Sequence, residues 1–255
     1  MKTYVRNFLW RLWVPIILIA FWQIILRNST NPYFPAPSQI LADTKYVINA
    51  DWVKTSLRSS AITFLAGYLI GSISGILIGA FIGANQILRE IFTPITNFIR
   101  SIPSVAKVPV IMAMLGIGQA TRIATVAIAV LFPMLMTTIR AIATTDINVL
   151  EMAKLLRFGQ IRTLFLVRLP AATGEILTGL QAAVQIGILV MVISEMLGSG
   201  IGLGAFIIHS QSTFMIADMW VGIFILGIIG LILNELFLYT ERRVAPWYFS
   251  SKGLR

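Results

Sequence analysis

The sequence predicts an all-α polytopic membrane protein with six transmembrane helices, from its composition and the spacing of its charges. Of its 255 residues, 57% are hydrophobic and only 12% are charged, against roughly 25% charged in an ordinary soluble domain. A bilayer core about 30 Å thick needs ~20 mostly apolar helical residues per span, which leaves room for about five to seven spans. No large soluble domain, such as a complete ATPase or dehydrogenase, fits beside them.

The first predicted helix covers the apolar run at residues 12–26, which Arg11 and Arg27 bound. Basic residues before a short apolar run are also typical of a signal peptide, but no small-x-small cleavage pattern follows, so we expect a retained helix. Residues 28–56 are polar and contain prolines. They predict an external loop with a short surface helix around residues 39–47.

The second helix lies in a stretch of thirty residues without a charge, between Arg58 and Arg89. Glycine recurs there at every fourth position, which puts a bare stripe on one helix face and lets another backbone approach closely. We therefore expect this helix at the centre of a bundle. The glycines of the stripe are Gly67, Gly71, Gly75, Gly79 and Gly83.

Prolines interrupt the third apolar segment. We predict one helix over residues 92–116, bent around Pro103 and Pro109 because proline removes a backbone hydrogen bond. Broken backbone at membrane depth is tolerated only when it is buried in protein or lines a water-filled path, so residues 101–109 are candidate path lining. The alternative is an interfacial helix followed by a short span.

The rest of the chain predicts three further helices and two connections. A short amphipathic helix is expected within the polar stretch 140–168, where Glu151 is spaced to pair with Lys154. The glycine-rich segment 196–217 is interpreted as a flexible external loop. The predicted transmembrane helices are residues 123–139, 172–194 and 219–239.

Basic residues are distributed unequally between the two sides of this arrangement. Thirteen fall on the side of the termini and five on the other, with Arg100 and Lys107 unassigned, so both termini are predicted to be cytoplasmic. The thirteen are Lys2, Arg6, Arg11, Arg89, Arg140, Lys154, Arg157, Arg162, Arg168, Arg242, Arg243, Lys252 and Arg255, and the five are Arg27, Lys45, Lys54, Arg58 and Arg122.

Residue types exclude several functions. The chain has no cysteine and a single histidine, His209, interpreted as a polar loop residue. Thiolate catalysis, disulfides and zinc or di-iron sites are therefore not expected. No P-loop pattern occurs. The acids Glu175, Glu195, Asp218 and Glu235 are predicted near helix ends, where a charge can reach water, whereas ion-coupled transport usually needs ionisable groups deeper in the membrane. This pattern favours a passive conduit that another protein drives.

The polar stretch resembles the EAA loop of inner-membrane permeases of binding-protein-dependent ABC importers. The usual pattern is E-A-A, a short spacer, a glycine, and a longer spacer before L-P. Here Glu151-Met152-Ala153 and Leu169-Pro170 match, with Met152 in place of the first alanine. Arg157 occupies the usual glycine position, and Gly159 follows closely.

Further segments in the same order resemble the nitrate, taurine and aliphatic-sulfonate branch of these permeases. The resemblance implies a type I importer fold in a single permease domain, residues 1–255, in the bacterial inner membrane. It implies a dimer around a central path, two cytoplasmic ATPase subunits that bind ATP and Mg²⁺, an extracytoplasmic solute-binding protein, and no cofactor on this chain. The segments are residues 33–38, 100–103, 116–118, 170–179, 194–195, 202–204 and 241–243 with Trp247.

Two sets of candidate site residues follow. The predicted ATPase-coupling residues are Glu151, Met152, Ala153, Lys154, Arg157, Gly159, Leu169 and Pro170, and the candidate path residues are Ser101, Pro103, Gln181, Gln185, Ser194 and Glu195. Glu151 could instead be an exposed helix-pairing acid, and Arg157 could contact anionic lipid. The polar path candidates could make ordinary interhelix hydrogen bonds. Glu195 is either a gate or a structural cap, and Met191 is expected in the core.

The sequence thus predicts a transport subunit, not an enzyme, for a small solute such as a sulfonate, nitrate or taurine. This branch also serves bicarbonate, pyrimidines and aromatic acids, so the solute stays open, as does the choice between homodimer, which we favour, and heterodimer. The runner-up is an ion-coupled secondary transporter, which predicts ion-dependent flux from this chain alone. A membrane enzyme or scaffold is a third class, but the sequence offers no reactive cluster.

Overall fold

The computed structural model describes residues 2–27, 31, 33–49, 51–198 and 200–244, and its regular elements there are all helical. Trp247, Lys252 and Arg255 lie outside the described residues. The helices are α1 (Lys2–Leu26), α2 (Pro37–Asn49), α3 (Asp51–Ala84), α4 (Gln86–Ser101), α5 (Val108–Leu115), α6 (Gln119–Ala143), α7 (Ile147–Leu155), α8 (Gln160–Thr163), α9 (Leu169–Leu197), α10 (Leu203–Ser212) and α11 (Ile216–Val244), with a 3₁₀ turn at Ser104–Lys107 and a π-helical turn at Leu164–Arg168.

Within the described residues, four helical segments are long and apolar enough to span a membrane. A fifth span is counted if α4 and α5 are taken as one bent segment, whereas the apolar part of α1, Ile16–Leu26, is shorter than the ~20 residues that a span needs. The all-α class is confirmed, and four or five of the six predicted spans are found. The four are Val53–Ala84, Gln119–Ala143, Gln160–Leu197 and Ile216–Glu241.

The glycine stripe of α3 packs directly on α6, as the spacing predicts. A Cβ atom on Gly67 would lie 2.6 Å from the Cβ of Val126, and one on Gly75 would lie 2.7 Å from the Cβ of Met134. Such distances leave no room for a side chain, so the two backbones approach closely along the whole stripe.

Helix α9 packs against both α3 and α6 and completes the central core. Val130 and Met134 of α6 are fully buried, and Met191 of α9 is 4% exposed, in agreement with its predicted core position. The Tyr68 hydroxyl of α3 donates a hydrogen bond to the Leu180 carbonyl of α9 at 3.0 Å. These contacts make α3, α6 and α9 one packed unit.

Helices α2, α10 and α11 form a second cluster beside this unit. Ile40 of α2, Phe206 of α10 and Val221 of α11 are buried together. Helix α2 confirms the predicted surface helix. The interpretation of residues 196–217 as a flexible loop is wrong for Leu203–Ser212, because these residues form α10 and most of them are buried. The glycines of this segment predict a loop, but packing stabilises a helix at Leu203–Ser212.

The third apolar segment breaks at one proline only. Helices α4 and α5 meet at 88°, and the bend lies at Ile102–Pro103, where both residues have extended backbone. Pro109 lies in the first turn of α5, where the missing N–H removes no helical hydrogen bond. The prediction of a bent segment is confirmed, but the helix begins earlier, at Gln86, and Pro109 does not contribute to the bend.

Candidate functional site

The connector, which we define as residues 144–168 between α6 and α9, contains α7 where the sequence predicts a short amphipathic helix. Asp146 caps this helix by accepting a hydrogen bond from the Asn148 backbone N–H at 2.8 Å. Ala153 is buried, whereas Glu151, Met152 and Lys154 are exposed. One side of α7 therefore packs against the protein, and the opposite side exposes acidic, apolar and basic side chains.

The predicted ion pair between Glu151 and Lys154 is wrong. Across the described part of the chain, ion pairs form between Asp51 and Lys54 and between Arg122 and Glu195. Both connector charges consequently remain exposed, which weakens the interpretation of Glu151 as a residue that only stabilises its own helix.

Helix α7 ends in a Schellman turn that is centred on Arg157. The Phe158 N–H donates to the Ala153 carbonyl at 3.0 Å, and the Arg157 N–H donates to the Lys154 carbonyl at 2.9 Å. Arg157 has a φ of +55°, a left-handed conformation that costs a residue with a side chain about 1–2 kcal/mol. Arg157 thus keeps the turn that glycine usually makes, and Gly159, whose φ is −68°, does not take over that role.

Beyond this turn the connector is anchored to two membrane-spanning helices. Leu164 is 3% exposed in the central core, and Arg168 Nη1 donates to the Ala84 carbonyl at the C-terminus of α3 at 3.2 Å. The helix then runs without a break from Gln160 to Leu197. The π-helical turn at Leu164–Arg168 precedes Pro170, whose missing N–H prevents a regular α-helical bond at this point.

A buried polar network lies at the opposite end of α9, around Glu195. Its carboxylate is fully buried and accepts hydrogen bonds from the Ser60 hydroxyl at 2.7 Å and from the Gly204 N–H at 3.0 Å. Ser60 Oγ in turn accepts from the Leu203 N–H at 2.9 Å. Glu195 and Ser60 therefore cap the first turn of α10, and the expectation that the Glu195 charge reaches water is wrong.

Arg122 completes this network from the first turn of α6. Its Nη1 lies 3.9 Å from Glu195 Oε1 and donates to the Ser59 hydroxyl at 3.2 Å and to the Ile201 carbonyl. The residue is only 5% exposed, so Arg122, which the sequence analysis counts among the outer basic residues, is buried in the protein. Its Nε atom has no hydrogen-bond partner in the described structure.

Two glycines of the 202–204 segment are required by the same network. Gly202 has a φ of +130°, and a Cβ atom there would collide with the Glu195 carboxylate; a Cβ on Gly204 would collide with the Val192 carbonyl. Sequence reasoning missed the Arg122–Glu195 pair. The available signal was that two opposite charges are predicted at the same end of adjacent transmembrane helices.

The candidate path residues separate into two groups. Gln181 Nε2 donates to Asn234 Oδ1 of α11 at 3.2 Å. Ser194 is buried, and its hydroxyl donates a hydrogen bond to the Met191 carbonyl at 2.8 Å. Ser101, Pro103 and Gln185 are exposed. The structure therefore brings Ser194 and Glu195 together with Arg122, commits Gln181 to an interhelix bond, and leaves the other three on the surface.

Residues 57–247 match the family described as the binding-protein-dependent transport system inner membrane component. The nitrate import permease protein NrtB of Leptolyngbya laminosa is 29% identical, with 90% of this chain and 85% of that protein aligned. A permease named for aliphatic sulfonate transport, SsuC of Bacillus subtilis, is 27% identical over 94% of this chain and 88% of its own length. The taurine transport system permease protein TauC of Escherichia coli is 25% identical over 91% of this chain and 87% of its own.

The fold is also found in a solved structure. A chain of the inward-facing MetNI methionine ABC transporter superposes with a TM-score of 0.61 at 18% identity, over 77% of this chain and 95% of that chain. This likeness concerns the fold alone, and it agrees with the helical bundle described above. Since the family match covers most of the sequence, the chain belongs to the inner membrane components of binding-protein-dependent transport systems, which are transport subunits and not enzymes.

Proposed function

We propose that two copies of this chain form the transmembrane path of an ATP-driven importer, with a cytoplasmic ATPase bound to each connector. The observation that carries this proposal is the connector itself. Met152, Leu155 and Leu156 are 62%, 83% and 65% exposed, and exposed apolar side chains of this size mark an interaction surface when they are clustered. The connector is fixed to α3 and α9, so a force on it would reach both helices.

The coupling residues divide into those proposed to contact the ATPase and those proposed to hold the connector in place. Glu151, Met152, Lys154 and Arg157 contact the ATPase, because they are exposed. Ala153 holds α7 against the protein, and Gly159 is the N-cap residue of α8. Leu169 and Pro170 join the connector to α9. ATP and Mg²⁺ bind to the partner ATPase, and we propose no cofactor on this chain.

The solute is proposed to be a small anion. The relatives above are named for nitrate, aliphatic sulfonates and taurine, and another is a bicarbonate transport system permease. An extracytoplasmic binding protein would deliver this solute, and both termini would lie in the cytoplasm of a bacterial cell. Ser101, Pro103 and Gln185 are the proposed path residues, because Gln181, Ser194 and Glu195 are engaged in internal hydrogen bonds.

A single cysteine introduced by Met152→Cys tests the connector, since the chain has no native cysteine. After cross-linking in native membranes, we expect a P-loop ATPase in the adduct. If the introduced thiol is labelled from the cytoplasm but captures no ATPase, the proposal is contradicted, and ion-dependent flux would then be the assay for a secondary transporter.

Reversal of the exposed acid gives an independent test. Glu151→Lys should reduce retention of the ATPase about tenfold, because charge complementarity at an interface is lost, while insertion into the membrane is unchanged. Glu90→Lys, which reverses an exposed acid outside the connector, is the matched control. Unchanged ATP-driven uptake by the Glu151→Lys variant would contradict the role assigned to the connector.

A further inference from the structure

The conformation of Arg157 is unfavourable for the chain on its own. A left-handed residue at the end of a helix is usually glycine, and arginine has no local hydrogen bond that favours this conformation. The backbone bonds around Arg157 are those of a regular Schellman turn, so glycine would satisfy the same geometry without strain. What arginine adds at this position is therefore its long, charged side chain.

The Arg157 guanidinium makes no contact within the described structure that offsets this strain. The side chain is exposed, and it takes no part in the ion pairs, hydrogen bonds or ring contacts of the described residues. By contrast, the neighbouring Arg162 stacks on the Phe158 ring, with 4.4 Å between the guanidinium carbon and the ring centroid. The Arg157 side chain is therefore available to a group outside the described residues.

The exposed residues beside Arg157 indicate a protein surface. Leu155 and Leu156, directly before it, are 83% and 65% exposed and would be buried by a complementary groove. Glu151 adds a negative charge to the same exposed region, and this charge would be repelled by an anionic lipid surface. A mixed surface of apolar, acidic and basic groups fits a protein partner better than a layer of phosphate head groups.

The length of the neighbouring helix leads to the same conclusion. The continuous segment from Gln160 to Leu197 has 38 residues and is about 57 Å long at ~1.5 Å per residue. The bilayer with its head groups is only ~40–45 Å thick. A segment of this length is long enough for its connector end to extend past the head-group layer, where a membrane-associated protein could reach it.

We propose that Arg157 forms an ion pair with a carboxylate on the partner ATPase, and that this contact selects the ATPase that matches this permease. The proposal rests on the proposed function. An Arg–carboxylate pair is directional, with up to two parallel hydrogen bonds, so it can discriminate between related ATPases that have or lack the acid.

The test compares variants that differ in charge and in tolerance of the left-handed conformation. Arg157→Gly and Arg157→Asn both relieve the strain and remove the charge. We expect each to retain about tenfold less of the ATPase captured through Met152→Cys, measured on affinity-purified permease in lipid nanodiscs. Arg157→Lys should retain an intermediate amount, and Arg157→Glu should be rescued by an ATPase variant in which the contacted acid is changed to lysine.

Phe214 provides a matched control for stability. It has the same left-handed conformation, with a φ of +59°, at the end of α10, so Phe214→Gly relieves a similar strain without altering the connector. It should not reduce ATPase retention. Full retention by Arg157→Gly would overturn the ion pair, and so would an effect of this variant that is present in nanodiscs with anionic lipids but absent with neutral lipids. If Met152→Cys captured no ATPase at all, the proposed function itself would fail instead.

Discussion

Arg122 and Arg157 carry the same charge in opposite environments. Arg122 is buried beside Glu195 and serves three partners through one nitrogen atom, whereas Arg157 is exposed and held in a left-handed turn. The place of Arg157 in the connector could be predicted, because it lies within the EAA-like sequence pattern. The pairing of Arg122 could not, because it depends on which helix ends lie together, and no linear pattern contains that information.

Glu195→Ala should destabilise the protein strongly. Its loss leaves Arg122 buried without its counter-charge, and removal of one partner of a buried ion pair typically costs about 3–5 kcal/mol. The Ser60 hydroxyl and the Gly204 N–H would also lose an acceptor. The measurement is the midpoint of thermal unfolding in detergent. Glu175→Ala, which removes an exposed acid from the same helix, is the control, and equal midpoints for the two variants would contradict the structural role of Glu195.

Gly75→Ala should also be destabilising, although alanine favours helices. Its Cβ would lie 2.7 Å from the Met134 Cβ and 2.8 Å from the Leu131 carbonyl oxygen, so α3 and α6 would have to separate, at about 1–3 kcal/mol. Gly227→Ala in α11 meets nothing within 4 Å and should be neutral or slightly stabilising. The measurement is the midpoint of thermal unfolding of each variant in detergent. A Gly75→Ala midpoint that matches or exceeds that of Gly227→Ala would show that the stripe is not tightly packed.

At the scale of elements, apolar runs and charges predicted where the helices lie, but the prolines predicted only in part where they are interrupted. Pro94 and Pro133 lie inside continuous helices, whereas Pro103 marks an 88° bend. Local sequence does not separate these cases, because packing decides whether the lost hydrogen bond can be tolerated. Likewise, α10 forms within a glycine-rich segment because Glu195 and Ser60 supply the acceptors that its first turn requires.

Gly202→Ala should therefore loosen α10 without unfolding the bundle. The methyl group would displace the Glu195 carboxylate, and alanine at a φ of +130° is strained as well. We expect faster hydrogen exchange at the amides of Leu203 and Gly204, which donate to the network. The matched control is Gly118→Ala, where the backbone is extended and a Cβ meets nothing within 4 Å. Unchanged exchange at both amides would show that the cap does not hold α10.

At the scale of the whole molecule, the sequence predicted the helical membrane class better than the packing of the helices. Composition and the positive-inside bias depend on sums over many residues, so neither requires knowledge of a single contact such as that between Arg122 and Glu195. The arrangement of α3, α6 and α9 depends on particular contacts. Among these, only the glycine stripe left a periodic signal in the sequence. The contact between Tyr68 and the Leu180 carbonyl left none.

The orientation of the molecule gives the last prediction. In the proposed arrangement the connector is cytoplasmic and α2 is on the opposite side, because basic residues concentrate on the side of the connector. Tyr46 of α2 is 82% exposed and Met152 of α7 is 62% exposed, so single cysteines at these positions should react readily. A membrane-impermeant thiol reagent should label Tyr46→Cys from outside the cytoplasmic membrane and Met152→Cys only in inside-out vesicles. Labelling of both from one side would contradict the arrangement of the spans between them, and the inverse pattern would place the connector where no cytoplasmic ATPase could reach it.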